Sequence, residues 1–345
     1  MLARRCIEEP SVNTLCPTLL ALLALGAGPA LASTPNAPPA AAQPVLVIHG
    51  GAGTLRAAEM SDQDRAAYEA ALHEALDAGW QVLAGGGTAL DAVTAALLPM
   101  EDSPLFNAGR GAVFTAEGRI ELDASIMDGA TRAAGAVGGV SSVRHPVLLA
   151  RRVMEASPHV FLAGPGALDF ATEQGLELKP AEWFWTERRW QQLQRATQRG
   201  ASRGEAADGR FGTVGAVALD ASGRLAAATS TGGTTAKRHG RLGDVPVIGA
   251  GTWADAGCAV SATGDGEYFI RAAAARTICA RIAMAGETPG EAAAAVLQEI
   301  SALGGLGGVI VVDGAGRFSL LFSTEGMYRG HADARGRRVA IFAAD

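Results

Sequence analysis

Two runs rich in hydroxyl groups and glycines are the parts of this sequence best suited to chemistry. They are Thr229-Ser230-Thr231-Gly232-Gly233-Thr234-Thr235 and Ser261-Ala262-Thr263-Gly264-Asp265-Gly266-Glu267. Each run ends an apolar stretch that is typical of a buried strand, and then turns on glycines. Hydroxyls and backbone N–H groups at such a strand end can converge on a small polar ligand or on an oxyanion. The pattern favours a site assembled from threonines and backbone amides.

A charged segment, Lys237-Arg238-His239-Gly240-Arg241-Leu242-Gly243-Asp244, lies between the two runs. It offers a guanidinium for a carboxylate and a carboxylate for an ammonium group. A pocket made of Arg, Asp, Thr and Gly suits the head group of a free α-amino acid. Each signal is weak by itself, but their succession on one segment argues against coincidence.

Thr213 marks a third feature, the junction before a predicted strand at 213–219. The preceding residues 198–210 are rich in Gly, Ala and charge and have almost nothing to bury, so we expect an exposed and mobile segment. A flexible segment that runs into a Gly-Thr bond at the start of a core strand is unusual. By itself, however, the junction favours only a surface loop that enters a strand.

The motifs around these residues closely resemble those of the plant-type L-asparaginases, also called isoaspartyl peptidases, which are N-terminal nucleophile hydrolases. The resemblance includes both hydroxyl runs and the stretches 212–218 and 240–244. It extends to four further motifs: His49-Gly50-Gly51-Ala52-Gly53, Leu105-Phe106-Asn107-Ala108-Gly109-Arg110-Gly111, Leu122-Asp123-Ala124-Ser125-Ile126-Met127-Asp128-Gly129 and Thr324-Glu325-Gly326-Met327-Tyr328. It therefore covers nearly the whole chain after Pro44.

This resemblance implies a precursor that cuts its own chain between Gly212 and Thr213. The cut frees an α-amino group with a reference pKa of roughly 7.7–8.0, which can take the proton of the hydroxyl on the same residue. Thr213 would then attack the side-chain amide carbonyl of the substrate and form a β-aspartyl ester, which water hydrolyses. Thr231 would hydrogen-bond the attacking hydroxyl, and Thr263 with Gly264 would form the oxyanion hole.

Substrate-binding residues are also implied by the resemblance. Arg241 would hold the α-carboxylate of the substrate, and Asp244 with Gly266 its α-ammonium group. Gly233 belongs to the same binding set, and Asn107 lines the active centre.

No catalytic cofactor is implied, but a structural sodium ion is. Backbone carbonyls of the segment 100–110 would hold the ion, from Met100, Glu101, Ser103, Phe106, Ala108 and Arg110. None of the six histidines pairs with another at a metal-binding spacing, and the cysteine spacing fits no metal motif. The residues themselves therefore give little support to metal catalysis.

Hydrophobic periodicity predicts an α+β fold. Before Thr213 we expect strands at 45–48, 112–115, 119–127 and 135–143, and helices at about 61–83, 88–100, 145–156 and 167–174. After it we expect strands at 213–219, 224–231, 257–263, 306–313, 318–323 and 338–342, and helices at 268–285 and 288–303. Tight turns between neighbouring strands favour largely antiparallel sheets. With apolar faces on strands and helices alike, we predict a layered sandwich with helices outside and sheets inside. The resemblance to the N-terminal nucleophile hydrolases implies that this is a four-layer αββα sandwich with the two sheets between helix layers.

The first residues are typical of an export signal. Residues 1–32 combine Arg4 and Arg5, a short apolar core at 18–27 and a small-x-small site at 30–32, and we interpret them as a signal peptide. Residues 33–44 would form a Pro/Ala linker. One hydrolase domain follows, with an α-subunit part at 45–212 (its end, from about 198, a flexible tail) and a β-subunit part at 213–345. We therefore expect a periplasmic or secreted protein.

Composition limits the partners. The net charge of −6, with charged residues of both signs at 19%, provides no basic footprint for nucleic acid. The apolar run at the start is too short and broken to span a bilayer. The resemblance implies a small-molecule substrate and a dimer of αβ heterodimers. Of the four cysteines, Cys258 and Cys279 lie after the predicted signal. We expect buried free thiols there, with a single bridge in an oxidising compartment as the alternative.

The favoured function is hydrolysis of β-aspartyl bonds in L-asparagine and in dipeptides with an N-terminal isoaspartyl residue. Asp265 is also typical of the glycosylasparaginases, the sister branch that cleaves the N-glycan linkage on asparagine, which is one alternative. A non-catalytic amino-acid-binding protein is the other. A dinucleotide loop at 49–53 is disfavoured because the G-x-G-x-x-G spacing is absent, so we expect a packed turn there.

Overall fold

The computed structural model describes residues 42–53, 56–198 and 212–343. The predicted signal peptide, the linker as far as residue 41 and the predicted tail at 199–211 lie outside these residues. Within the described part of the chain, no helix is both long and apolar enough to cross a membrane.

Strands occur throughout the described part of the chain. In order they are β1 (Val45–Gly53), β2 (Leu122–Asp128), β3 (Ala134–Val140), β4 (Phe161–Ala163), β5 (Val214–Leu219), β6 (Leu225–Thr231), β7 (Thr252–Ala254), β8 (Cys258–Gly264), β9 (Gly307–Asp313), β10 (Phe318–Phe322), β11 (Gly326–Asp333) and β12 (Gly336–Phe342). They form an eight-stranded sheet in the order β12-β11-β1-β5-β6-β2-β3-β4 and a four-stranded sheet in the order β10-β9-β8-β7. All neighbours pair antiparallel except β3 and β4.

The helices cover the outer faces of the two sheets. They are α1 (Asp62–Ala84), α2 (Ala89–Asp102), α3 (Pro146–Ala156), α4 (Gly164–Glu173), α5 (Ala181–Phe184), α6 (Glu187–Gln198), α7 (Gly266–Ala272), α8 (Ala274–Ala285) and α9 (Pro289–Ala302). Ser61, Thr88 and Thr288 cap α1, α2 and α9 by accepting a hydrogen bond from the backbone N–H three residues on. Each cap satisfies one of the N–H groups that the first turn of a helix leaves unpaired.

Alternation along the central strands divides the core into two layers. On β1, Leu46 and Ile48 pack in the same cluster as residues of α1, α2 and α3, whereas Val45 and Val47 pack with β8, β9, α8 and α9. Successive side chains of a strand point to opposite faces, so a strand covered on both sides must be apolar throughout. The four-layer αββα sandwich predicted from the sequence is therefore confirmed.

Several predicted elements are corrected by the structure. Residues 112–115 form no strand but only two isolated bridges, from Phe114 to Ile120 and from Thr115 to Lys237. The predicted helix 268–285 is two helices, because Ala273 adopts a left-handed conformation with φ 45° between α7 and α8. The glycine-rich turn expected after residue 48 is the second half of β1, which continues through a register shift between His49 and Gly51 to Gly53.

Cys258 and Cys279 form a disulfide, so the expectation of free thiols is wrong. The bond joins the first residue of β8 to the middle of α8, and its Cα atoms are 5.5 Å apart. A spacing of 21 residues carries no signal for such a pairing, because only the packing of α8 on its sheet brings the two side chains together.

Candidate active site

Thr213 and Thr231 meet because β5 and β6 form a hairpin. Val214 is paired with Ser230, which places the residue before β5 beside the last residue of β6. The Thr213 hydroxyl donates a hydrogen bond to Thr231 Oγ1 at 2.9 Å, and the Gly233 N–H donates to the same oxygen at 3.0 Å. The hydroxyl predicted to be the nucleophile is thus oriented by the one predicted to assist it.

His49 holds the backbone of the same residue. Its Nδ1 donates to the Thr213 carbonyl oxygen at 3.0 Å, and the side chain is fully buried. Burial lowers the pKa of His49 to about 3, opposed by this hydrogen bond, so the ring is neutral near pH 7. Sequence reasoning included His49 in a motif but did not predict this contact. The signal that could have indicated it is an ionisable residue directly after the apolar run 45–48.

Gly212, on the other side of the junction, is enclosed by two close neighbours. It is buried, with φ +145°, and a Cβ on it would lie 2.5 Å from the Asn107 Cβ. Gly51 has φ +109°, and a Cβ on that residue would lie 2.5 Å from the Gly212 Cα. The glycines of the 49–53 motif therefore let β1 approach the Gly212–Thr213 bond, a packing role rather than a phosphate-binding one.

Asn107 forms hydrogen bonds around this junction through its backbone and its side chain. Its backbone N–H donates to the Gly212 carbonyl oxygen at 3.0 Å, and its own carbonyl accepts from Gly232 N–H at 3.0 Å. The side-chain amide donates to the Gly233 carbonyl at 2.6 Å and accepts from Val113 N–H at 2.9 Å. If the Gly212 carbonyl were attacked, negative charge would develop on its oxygen, and the Asn107 N–H would stabilise that charge.

Thr263 and Gly264 lie at the end of β8 and reach the site through β1. The Ala52 N–H donates to Thr263 Oγ1 at 3.3 Å, three residues along β1 from the histidine that holds Thr213. Gly264 has φ +154°, and a Cβ there would lie 2.5 Å from the Leu306 carbonyl oxygen. Their predicted oxyanion-hole role stays a prediction.

Arg241 forms a two-point ion pair with Glu267. Its Nε and Nη2 donate to the two carboxylate oxygens of Glu267 at 2.9 Å each, and Glu267 is the more exposed partner. A planar guanidinium fork presents the same pair of donors to any carboxylate. The Glu267 carboxylate therefore occupies the two donors that Arg241 is predicted to offer to the α-carboxylate of a substrate.

Asp244 is buried next to this pair. Its Oδ2 has no hydrogen-bond partner, which leaves an acceptor for an ammonium group. Burial raises the pKa of Asp244 to about 7, while the charge of Arg241 opposes the rise. A Cβ on Gly266 would lie 2.8 Å from Asp244 Oδ1 and 3.1 Å from Arg241 Nη2, so this glycine faces both charged groups.

Gly233 connects the threonine pair to the charged groups. A Cβ on it, at φ +80°, would lie 3.1 Å from Lys237 Nζ and 3.4 Å from Arg241 Nη1. Its N–H and carbonyl are engaged by Thr231 and Asn107 as described. Gly233 thus lies next to both Thr231, which accepts from the predicted nucleophile, and the predicted carboxylate-binding Arg241.

The predicted sodium loop has carbonyl oxygens packed against glycines. A Cβ on Gly109 would overlap the Glu101 carbonyl oxygen, and a Cβ on Gly111 would overlap that of Phe106. Two of the six predicted carbonyl ligands thus lie where only glycine leaves room, which fits a cradle of backbone oxygens around a hard cation. Within the described residues, no cluster of His, Cys, Asp and Glu side chains could hold a metal ion.

Asp265 forms two hydrogen bonds with the backbone of Leu306. Its Oδ2 accepts from the Leu306 N–H at 2.9 Å, and its own N–H donates to the Leu306 carbonyl at 2.9 Å. This side chain ties the end of β8 to the start of β9. The residue that suggested the glycosylasparaginase alternative therefore has a local structural task.

A cavity of about 1190 Å³ borders the chain segment that carries Arg241. Gly240 and Leu242, on either side of Arg241, line it together with Phe184 and Trp185. None of the threonines of the candidate site lines this cavity. Volume alone therefore does not identify the site, which is defined by hydrogen bonds at the Gly212–Thr213 junction.

Known proteins resemble this chain over most of its length. Residues 42–341 match the family model described as Asparaginase. The chain is 51% identical to the isoaspartyl peptidase of Escherichia coli (strain K12) over 293 residues, which is 83% of this chain and 91% of that protein. It is 42% identical to the isoaspartyl peptidase/L-asparaginase of Homo sapiens over 275 residues, covering 79% of this chain and 88% of that protein. The chain belongs to the asparaginase family.

Proposed function

We propose that this protein is a hydrolase of β-aspartyl amide bonds, matured by cutting its own chain between Gly212 and Thr213. Its substrates are L-asparagine and dipeptides with an N-terminal isoaspartyl residue. The observation that carries the proposal is the junction itself, where Thr231 orients the Thr213 hydroxyl and Asn107 N–H holds the Gly212 carbonyl. The names of the relatives, isoaspartyl peptidase and isoaspartyl peptidase/L-asparaginase, support the same chemistry.

Maturation starts with attack of Thr213 Oγ1 on the Gly212 carbonyl carbon. The new C–O bond forms as the C–N bond breaks, and the hydroxyl proton goes to the departing nitrogen, which becomes the free α-amino group of Thr213. The Asn107 N–H, 3.0 Å from the Gly212 carbonyl oxygen, stabilises negative charge on that oxygen. Water then cleaves the ester and leaves a carboxylate on Gly212.

Turnover uses the amine that maturation releases. This amine takes the proton from Thr213 Oγ1, which attacks the substrate β-carbonyl and forms a β-aspartyl ester, while the leaving amine departs with a proton. Thr263 Oγ1 and Gly264 N–H stabilise the developing oxyanion. Water hydrolyses the ester and regenerates the hydroxyl.

Recognition of the aspartyl head group falls to the charged residues. Arg241 binds the α-carboxylate after Glu267 has moved away, and Asp244 binds the α-ammonium group through its unpartnered oxygen. Because Asp244 is buried, its ionised form gains more from an ammonium partner than an exposed carboxylate would.

The loop at 100–110 would hold a sodium ion through the carbonyls of Met100, Glu101, Ser103, Phe106, Ala108 and Arg110. Bound there, the ion would supply a positive charge that organises backbone carbonyls and takes no part in making or breaking bonds. Its effect on the reaction is indirect, because the same loop carries Asn107.

The protein is further proposed to be exported and to assemble as a dimer of two-chain units. The disulfide between Cys258 and Cys279 supports export, since disulfides persist in oxidising compartments. The dimer is proposed from the resemblance to plant-type asparaginases.

The test combines a denaturing gel with intact masses and two substrates. We expect two chains from the wild type, the second starting at Thr213, and one uncleaved chain from Thr213→Ala. We also expect turnover of β-aspartyl-leucine and L-asparagine but not of asparagine-linked N-acetylglucosamine. An uncleaved wild-type chain would refute maturation, and preferential turnover of the glycosylated substrate would assign the chain to the glycosylasparaginase activity.

A further inference from the structure

A row of buried hydroxyl side chains links the Thr213 backbone to the neighbour of Asp244. His49 Nε2 lies 2.9 Å from Ser261 Oγ, which lies 2.7 Å from Thr229 Oγ1. Thr229 Oγ1 lies 2.5 Å from Thr252 Oγ1, and Ser125 Oγ lies 2.7 Å from Thr252 Oγ1. The Ser125 hydroxyl is also 2.6 Å from the carbonyl oxygen of Val245, the residue after Asp244. We call these five side chains, His49, Ser261, Thr229, Thr252 and Ser125, the hydroxyl row.

The hydroxyl row follows the sheet registers across the molecule. His49 is paired with Gly215, Gly215 with Thr229, and Thr229 with Ser125, so these residues lie side by side on β1, β5, β6 and β2. From the facing four-stranded sheet, Ser261 is paired with Thr252. The row therefore lies between the two sheets.

Gly215 is the position that makes the row continuous. A Cβ on this residue would overlap both the His49 imidazole and the Ser261 hydroxyl. A glycine within a central strand weakens the strand, so it often marks a place where another group must approach closely. Here the approaching groups are the first two members of the row.

Placing polar side chains between two apolar sheets is costly unless each is hydrogen-bonded. All five members of the hydroxyl row are fully buried. Leaving one buried hydroxyl or ring nitrogen without a partner destabilises the folded protein, so the members depend on one another. Aliphatic side chains would fill this space without that dependence.

The partners of the His49 imidazole determine which ring nitrogen donates a hydrogen bond and which accepts one. Because Nδ1 donates to the Thr213 carbonyl and the ring is neutral, Nε2 must accept from the Ser261 hydroxyl. Without that hydroxyl, Nε2 would have no hydrogen-bond partner, and the Ser261 side chain would no longer favour the tautomer that carries its hydrogen on Nδ1. The hold on Thr213 therefore depends on a residue that touches neither the nucleophile nor the substrate.

We propose that the hydroxyl row is a positioning device, which fixes the Thr213 backbone through His49 and the Asp244 loop through Val245. It keeps the nucleophile and the ammonium-binding carboxylate in register across the sheet interface. The inference rests on the proposed roles of Thr213 and Asp244. Within it, Ser261, Thr229, Thr252 and Ser125 are positioning residues.

Paired substitutions at Thr229 separate this role from packing. Thr229→Val keeps the volume and removes the hydroxyl, whereas Thr229→Ser keeps the hydroxyl and removes a methyl group. We expect Thr229→Val to lower kcat for β-aspartyl-leucine about tenfold or more, because small misplacements of reacting groups are expensive. Thr229→Ser should keep kcat within about threefold of the wild type, although it loses more packing.

A substitution at the other end of the row tests the link to the binding loop. Ser125→Ala frees the Val245 carbonyl, and we expect KM to rise several-fold with kcat changed less than twofold. Thr94→Val is the matched control, since it also removes a largely buried hydroxyl, one that donates to the Leu90 carbonyl within α2. It should leave both kcat and KM within twofold of the wild type.

All variants are measured after intact masses confirm correct cleavage. Slow maturation in Thr229→Val but not in Thr229→Ser supports the inference equally, because His49 holds the same residue before and after cleavage. If Thr229→Val does not fold, the Thr252→Val and Thr252→Ser pair replaces it with the same expectations. Equal kcat values in the Val and Ser variants would overturn the proposal, as would loss of activity in Thr94→Val. A wild type that matures but hydrolyses neither substrate would instead refute the proposed function.

Discussion

Three charged residues, Arg241, Glu267 and Asp244, lie together at the proposed amino-acid site. Arg241 is paired with Glu267, whereas the nearby Asp244 is buried with one oxygen unpartnered. An α-amino acid would exchange the first pair for its own carboxylate and complete the second with its ammonium group. In the proposed mode, binding would replace internal partners, and single side chains would decide its strength.

Glu267→Gln tests whether Glu267 competes with the substrate. Removing its charge weakens the pair with Arg241, and we expect KM for L-asparagine to fall about two- to fivefold, since partly exposed ion pairs contribute about 0–1 kcal/mol. Steady-state kinetics at constant ionic strength measure the effect. The control is Glu299→Gln, which removes a carboxylate from the exposed side of α9. A higher KM in Glu267→Gln would contradict the competition.

Asp244→Asn is expected to stabilise the protein at pH 8 while it weakens substrate binding. The folded-state pKa of Asp244 is raised to about 7, above its ordinary 3.8, so the folded state loses stability as pH rises from about 4 through 7. The asparagine variant avoids this loss. Its Tm should exceed that of the wild type at pH 8 by a few degrees, and the difference should vanish near pH 4.

We expect the same titration to appear in the wild-type kinetics. Below pH 7 the Asp244 carboxyl takes up a proton and no longer attracts an ammonium group, so KM for L-asparagine should rise up to about tenfold per pH unit. Measuring KM from pH 5 to pH 8 checks this. A KM that is constant over that range would show that Asp244 does not bind the substrate in its ionised form.

At the scale of elements, β1 organises the site. One of its residues donates to Thr213, another donates to Thr263, and a glycine between them packs on Gly212. The register shift between His49 and Gly51 turns the strand so that its polar groups reach the junction. Small changes in β1 should therefore affect maturation before they affect the rest of the fold.

Gly51→Ala is expected to block maturation. Its Cβ would lie 2.5 Å from the Gly212 Cα, at a backbone φ of +109° that alanine rarely adopts. The precursor should accumulate on a denaturing gel. Gly223→Ala is the control, since its φ is +80° but nothing lies within 4 Å of the added Cβ. Complete cleavage in Gly51→Ala would contradict the close approach of β1 to the junction.

The disulfide joins β8, which ends in Thr263, to α8. Closing a loop between positions 21 residues apart restricts the unfolded chain and stabilises the folded one by about 3 kcal/mol. The double variant Cys258→Ala/Cys279→Ala should therefore melt roughly 5–10 °C lower by calorimetry. Its kcat at 25 °C should stay close to that of the wild type. An unchanged Tm would mean that the bond contributes nothing.

At the scale of the whole molecule, the two halves of the sequence share one sheet. β1, from before the junction, lies between β5 and β11, both from after it, and β2 pairs with β6. After cleavage these strands would still be joined by backbone hydrogen bonds and by a common core. The chain ends could move, but the halves could not part without opening the sheet.

We therefore expect the two mature chains to remain together in native buffer. Size-exclusion chromatography should give one peak, and a denaturing gel of that peak should show both chains in equal amounts. Denaturant should separate them only at the concentration at which the sheet unfolds, monitored by circular dichroism. Separate elution of the chains in native buffer would contradict this account.

The sequence by itself determined the fold class and, through its resemblance to a known family, the class of reaction. Apolar runs and tight turns predicted the paired sheets, and the resemblance of motifs rich in Thr and Gly to that family led to the predicted roles of Thr213, Thr231 and Thr263. These are local signals, which persist because strand periodicity and turn chemistry extend over only a few neighbouring residues. β11 was not predicted, because its Arg, His and Gly residues interrupt the pattern, and it is a strand only through pairing with β1 and β12.

Only the tertiary structure decided which distant groups meet. The hold of His49 on Thr213 spans 164 residues, and its contact with Ser261 spans 212. The disulfide, the pairing of Glu267 with Arg241 and the donation from Asn107 to Gly212 depend in the same way on how strands and helices pack. Sequence spacing carries no information on such contacts, because sheet register and layer packing, rather than distance along the chain, place these side chains together.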